Sequence, residues 1–172
     1  RVAVRSRTGR GSAFAVFVPL TPSGAACADD VENAAPQVTE PGRSPRILLA
    51  EDHPTNQKVV AMILEPIGAE LTIVDNGLAA VEAARAGTFD LILMDIQMPV
   101  MDGLEAMALI RRAEQERGGR TPIICLTANT SEIETRACLA AGGDLHVPKP
   151  YRAEILLQAV FQSLAGAQGQ AA

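Results

Sequence analysis

Asp90-Leu91-Ile92-Leu93-Met94-Asp95, continuing through Ile96-Gln97-Met98-Pro99-Val100-Met101-Asp102-Gly103, is the stretch whose reading decides the fold. Its first half is an unbroken apolar run of strand length, which reads as a strand buried on both faces. The run ends in a carboxylate, Asp95, and Pro99 keeps the following loop from continuing as strand. In open α/β sheets ligands bind just outside the carboxyl ends of the strands, so an aspartate there is well placed for chemistry. Taken alone, Asp95 reads more simply as a turn starter or a helix cap. Its neighbours in the chain decide between the two.

Before this strand, Ile47-Leu48-Leu49-Ala50 is a similar buried run that stops at Glu51-Asp52-His53. Pro54 fits the first position of a helix, where its missing N–H costs nothing. Val59, Val60, Ile63, Leu64 and Ile67 follow at helical spacing, with Gly68 as the C-cap. Leu71-Thr72-Ile73-Val74 is a second strand, and Asn76-Gly77 turns the chain into an alanine-rich helix to about Ala86. After the Asp95 strand, a helix is expected from Gly103 to Arg117, with Leu104, Met107, Ala108 and Ile110 on its apolar side. Pro122-Ile123-Ile124-Cys125-Leu126 is the fourth strand and ends at Thr127-Ala128-Asn129. Ser131 to Ala141 reads as a helix stopped by Gly142-Gly143. Asp144 to Val147 reads as a short fifth strand before Pro148-Lys149-Pro150, and a last helix carries Ile155, Leu156, Ala159, Val160 and Leu164. Five strands alternating with five helices predict a doubly wound α/β domain with a five-stranded parallel sheet.

The polar residues at the carboxyl ends of those strands form a set. The first strand supplies Glu51 and Asp52, the third Asp95, the fourth Thr127 and the fifth Lys149. Converging carboxylates repel and call for a cation or a proton. Hard carboxylate and carbonyl oxygens suit Mg²⁺, and no His or Cys cluster offers a zinc site. Lys149 adds positive charge and Thr127 a hydroxyl donor, which together with Mg²⁺ are what phosphoryl transfer requires. Each residue has a plainer reading by itself: Glu51 and Asp52 as a helix N-cap and its neighbour, Thr127 as a cap, Lys149 as a solvated charge. Their joint placement at the ends of consecutive strands carries the functional reading.

Arg46 to Ala165 resembles a response-regulator receiver domain over its whole length. The motifs are Leu49-Ala50-Glu51-Asp52-His53, Leu93-Met94-Asp95 through Met101-Asp102-Gly103, Leu126-Thr127-Ala128 and Lys149-Pro150. The resemblance implies a flavodoxin-like fold with Asp95 as the phospho-acceptor. It implies that Asp52 and Asp95 ligate Mg²⁺ with the backbone carbonyl of Gln97, while Glu51 acts through a bound water. Lys149 is implied to pair with Asp95 and then with a phosphoryl oxygen, across a cis Lys149-Pro150 bond. Thr127 is implied to swing in toward the phosphoryl group, helped by the backbone N–H of Ala128. Two positions depart from the family. His146 stands where a Tyr or Phe switch is usual, and Pro148 before the lysine removes a strand donor.

Residues 1–20 read as a β-hairpin: Val2-Ala3-Val4, a Thr8-Gly9-Arg10-Gly11 turn, then Ala13 to Val18. Val4-Arg5-Ser6, Gly9-Arg10-Gly11-Ser12-Ala13-Phe14 and Val18-Pro19-Leu20 resemble the last two strands of histidine-kinase ATPase domains, without that family's nucleotide-binding residues. Residues 21–45 read as a flexible linker rich in Pro, Ala, Gly and acids, and residues 166–172 as a frayed tail. This order of parts, beginning at Arg1, implies the C-terminal portion of a hybrid histidine kinase. Its phosphoryl donor would be a phosphohistidine, on that kinase or on a histidine phosphotransfer protein. With no output domain after the last helix, phosphorelay is expected rather than direct transcription control.

Composition narrows the alternatives. The 172 residues carry a net charge of −5 with 48% hydrophobic side chains, enough for a core and opposed to an electrostatic nucleic-acid binder. Three cysteines (Cys27, Cys125, Cys138) at no metal-like spacing are read as reduced cytosolic thiols, so the expected location is cytoplasmic, without membrane contact. A haloacid-dehalogenase type enzyme would want a second aspartate where Gln97 stands. A flavodoxin-like cofactor binder would not place acidic Glu51-Asp52 where a phosphate cradle belongs. The alternative that survives is a receiver-like interaction module that is not phosphorylated and regulates its own kinase.

Overall fold

The computed structural model describes residues 2–7, 11–16, 43–128 and 131–168. The chain divides into two units, Arg1–Gln37 and Val38–Ala172. In the first, β1 (Val2–Arg7) pairs antiparallel with β2 (Gly11–Val16), from Val2 opposite Val16 to Arg7 opposite Gly11. This is the expected hairpin; its tip, the Val18-Pro19-Leu20 segment, Cys27 and the linker as far as residue 42 lie outside the described residues.

The second unit alternates strand and helix throughout. Its elements are β3 (Arg46–Ala50), α1 (Pro54–Leu64), β4 (Glu70–Val74), α2 (Gly77–Ala86), β5 (Leu91–Asp95), α3 (Gly103–Arg117), β6 (Ile123–Thr127), α4 (Glu132–Ala140), β7 (Leu145–Pro148) and α5 (Ala153–Gln168). All strand pairs are parallel, in the order β4-β3-β5-β6-β7. The chain runs outward from β3 to β4 and then crosses back to β5. The winding therefore reverses between β3 and β5, and a crevice opens beyond their carboxyl ends.

The unbroken apolar runs are explained by burial on both faces. Leu48, Ile92, Met94, Ile123 and Cys125 pack under α2, α3 and Cys138 of α4. Ile47, Leu49, Leu93, Leu126 and Val147 pack under α1 and α5. Every residue of β5 and of β6 is buried, while the outer strand β4 is largely exposed.

The helices depart from expectation at their ends and flanks. The first helix is α-helical only to Leu64, because Pro66 cannot donate to the i−4 carbonyl. A 3₁₀ turn, Glu65–Ile67, carries the chain on to Gly68, whose φ of 64° makes the expected C-cap. Val59 and Ile155, expected on apolar sides, are 37% and 40% exposed. Helix α5 runs through Gln168, so Gly166 to Gln168 belong to the helix and not to a tail. Pro148 is tolerated because β7 is an outer strand, and Lys149 resumes the ladder by donating its N–H to the Thr127 carbonyl at 2.7 Å.

The loop after Asp95 is closed by backbone contacts. Gly103 donates its N–H to the Ile96 carbonyl at 2.9 Å, and a Cβ at Gly103 would overlap the Asp95 carbonyl oxygen. Asp102 caps α3 by accepting from the Glu105 N–H at 2.8 Å. Between Ile96 and Asp102, Val100 adopts φ 70° in a tight turn in which Met101 donates its N–H to the Pro99 carbonyl at 2.8 Å. A β-branched residue in that region is strained.

Two stability predictions follow from this loop. Gly103→Ala is expected to lower stability by about 3 kcal/mol, since the clash is with backbone that cannot yield cheaply. Val100→Gly is expected to raise it by about 1 kcal/mol by releasing the positive-φ strain. Urea denaturation of the two variants beside the wild type checks both signs.

Candidate active site

Glu51, Asp52 and Asp95 meet in the crevice between β3 and β5. One carboxylate oxygen from each lies within 4.8 Å of the others. Adjacent in sequence, Glu51 and Asp52 part in environment: Glu51 is fully buried and Asp52 exposed. Neither caps a helix. His53 does so, its Nδ1 accepting from the Thr55 N–H at 3.3 Å.

Lys149 reaches in from the end of β7 and binds two carboxylates at once, with Nζ 2.7 Å from Glu51 Oε2 and 2.7 Å from Asp95 Oδ2. Its side chain is 18% exposed, so it is no solvated surface charge. The Lys149-Pro150 peptide is cis, in accord with the resemblance. Asp95 is 4% exposed and accepts on Oδ1 from the Gln97 N–H at 3.3 Å. Thr127, at the end of β6, is 1% exposed, and its hydroxyl has no hydrogen-bond partner among the described residues. A buried hydroxyl left so is costly unless an acceptor comes to it. Ala128 follows it, exposed. His146 is exposed on β7, in register with Cys125 and so on the same face of the sheet as Thr127. It stands apart from the carboxylate cluster.

Three residues at the site escaped the sequence reading. Asn56 Nδ2 donates to Glu51 Oε1 at 2.8 Å, and Gln57 Nε2 to the Glu51 carbonyl at 2.7 Å. The hydroxyl of Tyr151 donates to Glu51 Oε2 at 3.1 Å. The amides sit in the first turn of the helix after the acidic pair, and Tyr151 follows Lys149-Pro150 directly. Polarity at those places was the available signal. Burial, and then the Glu51 charge, push the Tyr151 phenol above its ordinary range, so it stays a donor.

Hard oxygen donors at this separation fit Mg²⁺, which takes one or two carboxylates and keeps waters. Among the described residues this is the cluster of acidic, His or Cys side chains able to hold an ion. Burial, the largest influence, lifts the Asp95 carboxyl above its ordinary value of 3.8; Lys149 opposes the rise and the Glu51 charge adds to it. The folded state thus holds the Asp95 proton more tightly than the unfolded chain. Its contribution to stability is complete below the ordinary carboxylate range and is lost as pH rises through the raised value. At neutral pH the ionised carboxyl is a net cost. Asp95→Asn is therefore expected to raise the melting temperature by roughly 3 °C at pH 7 and to change it little at pH 4. Differential scanning calorimetry at the two pH values checks this.

Comparison with known proteins agrees with the geometry. The chain is 41% identical over 128 residues to the sensor histidine kinase GacS of Pseudomonas protegens, covering 74% of this chain and 14% of that protein. It thus spans a small part of that relative's length. The receiver domain of the sensor histidine kinase PA1611 of Pseudomonas aeruginosa, solved with a magnesium ion in its active-site cleft, superposes with a TM-score of 0.65 at 37% identity. That match covers 72% of this chain and 99% of the other. The receiver domain of Ssk1, solved with the histidine phosphotransfer protein Ypd1 of Saccharomyces cerevisiae, belongs to a complex that matches with a TM-score of 0.67 at 28% identity over 72% of this chain and 92% of that one. A family model described as the response regulator receiver domain matches residues 47–161. With this match, its β4-β3-β5-β6-β7 parallel sheet and its acidic crevice, the chain is a member of the response-regulator receiver family.

Proposed function

We propose that Asp95 is the phospho-acceptor of a two-component phosphorelay, taking a phosphoryl group from a phosphohistidine. The observation that carries this reading is the pairing of buried Asp95 with Lys149 at 2.7 Å beside a Thr127 hydroxyl that has no partner among the described residues. A carboxylate, an ammonium and a hydroxyl donor converge at the carboxyl edge of the sheet.

Asp95 attacks phosphorus in line; the bond from phosphorus to the donor imidazole breaks as the bond to the Asp95 carboxylate oxygen forms. Lys149 turns from Asp95 to a phosphoryl oxygen. The Thr127 hydroxyl and the Ala128 N–H donate to the others, which spreads the equatorial charge. Asp52 and Asp95 with the Gln97 carbonyl are suited to hold Mg²⁺, and Glu51 to reach it through a water; once bound there it neutralises phosphoryl charge. The relatives' names support a histidine kinase or a phosphotransfer protein as partner and a hybrid kinase as parent. The hairpin is read as the end of that kinase's ATPase domain on its sequence resemblance alone. No described helix is long and apolar enough to cross a membrane, and a cytoplasmic site of action fits a phosphohistidine donor.

Intact mass after incubation with acetyl phosphate or a phosphorylated histidine partner tests the reading. The expected result is a Mg²⁺-dependent gain of one phosphoryl group that is absent in Asp95→Asn. No gain from either donor sinks the phosphorelay reading and leaves the interaction module in its place.

A further inference from the structure

Lys149 is divided between two buried carboxylates, and only one of them is to be phosphorylated. For the ammonium to follow the phosphoryl group it must loosen its bond to Glu51, a fully buried carboxylate with no access to bulk solvent. Glu51 is well supplied elsewhere. Oε1 accepts from Asn56 at 2.8 Å and from the His53 N–H at 3.4 Å. Oε2, the oxygen that Lys149 holds at 2.7 Å, has one other donor among the described residues, the Tyr151 hydroxyl at 3.1 Å. The Tyr151 ring also lies 5.9 Å from the Lys149 Nζ, within range of a cation–π contact.

We propose that Tyr151 is a positioning residue for Lys149, its hydroxyl keeping Glu51 Oε2 satisfied while the ammonium moves to the phosphoryl oxygens on Asp95. This rests on the phosphotransfer reading and adds to it the reason the lysine can leave. A phenylalanine would fill the same space against Leu156 and its neighbours in the α1–α5 side of the core, where the Tyr151 ring packs. It would leave Lys149 as the one side-chain donor to Oε2 among the described residues, and the ammonium would be held on the wrong carboxylate. An unmet hydrogen bond to a buried charge costs more than the packing gains.

The full chain and its Tyr151→Phe variant are to be compared with acetyl phosphate at saturating Mg²⁺. Phosphorylation is expected to slow about tenfold, the scale of one hydrogen bond to a charged group, while the Mg²⁺ concentration for half-maximal rate stays within about twofold. A merely structural tyrosine would leave the rate alone or move both quantities with the melting temperature. A second readout needs no phosphodonor. Tyr151 is the sole tyrosine and the chain has no tryptophan, so its ultraviolet emission reports this one ring. A carboxylate acceptor quenches a phenol, and Glu51→Gln is expected to brighten it. Emission unchanged in Glu51→Gln, or a Tyr151→Phe rate within about twofold of a competent wild type, overturns the proposal alone. A wild type that accepts no phosphoryl group from any donor removes the phosphotransfer reading and this proposal with it.

Discussion

Two carboxylates that bulk water barely reaches, Glu51 and Asp95, share one ammonium, and the rest of the domain is arranged around keeping that possible. Glu51 is fully buried and Asp95 nearly so. Buried charge of one sign is tolerated only when it is paired and hydrogen-bonded, because desolvation would otherwise exceed every local gain. Glu51 meets the condition with four side-chain and backbone donors. Asp95 meets it less fully, with Lys149 and one backbone N–H, and its raised affinity for a proton is the result. The less satisfied carboxylate is the one proposed to react.

The scaffold turns this imbalance into geometry. A parallel sheet buried on both faces gives strands that cannot shift register without exposing a whole apolar row. The ends of β3, β5, β6 and β7 therefore hold their distances. Gly103 lets α3 begin against the Asp95 backbone, and Asp102 caps it there. At the opposite end of the sheet Arg111 does a quieter job. Only 8% exposed, it bonds Glu114, Asp144 and the carbonyls of Thr121 and Gly142, and Asp144 in turn accepts from the Ile123 N–H. That network fixes the entry to β6, the strand that delivers Thr127.

Much of this was legible in the chain itself. The apolar runs of β3, β5 and β6, the turn at Asn76-Gly77, the cap at Gly68, and the acids at strand ends are local properties, and local chemistry is what a sequence displays. Asp95, Lys149 and Thr127 could be singled out because each closes a strand whose length and direction the apolar pattern already sets. The errors were also physical. Val59 and Ile155 follow the helical period yet stand partly in solvent, since period defines a face and not what covers it. Helix α5 passes Gly166 because one glycine in a helix interior costs only about 1 kcal/mol, too little to end it.

What the sequence determined by itself was the order of strands and helices, and with it the set of polar residues at the carboxyl edge. Tertiary structure decided how those residues divide the work. Glu51 and Asp52 are neighbours in the chain, but one is buried and the other exposed, because successive residues leaving a strand face different surroundings. Tyr151 reaches Glu51 from 100 residues away, a pairing no spacing rule contains. Desolvation, register and side-chain direction exist only in the packed sheet. They set which carboxylate is fully buried, which is less well satisfied, and which donors each one receives.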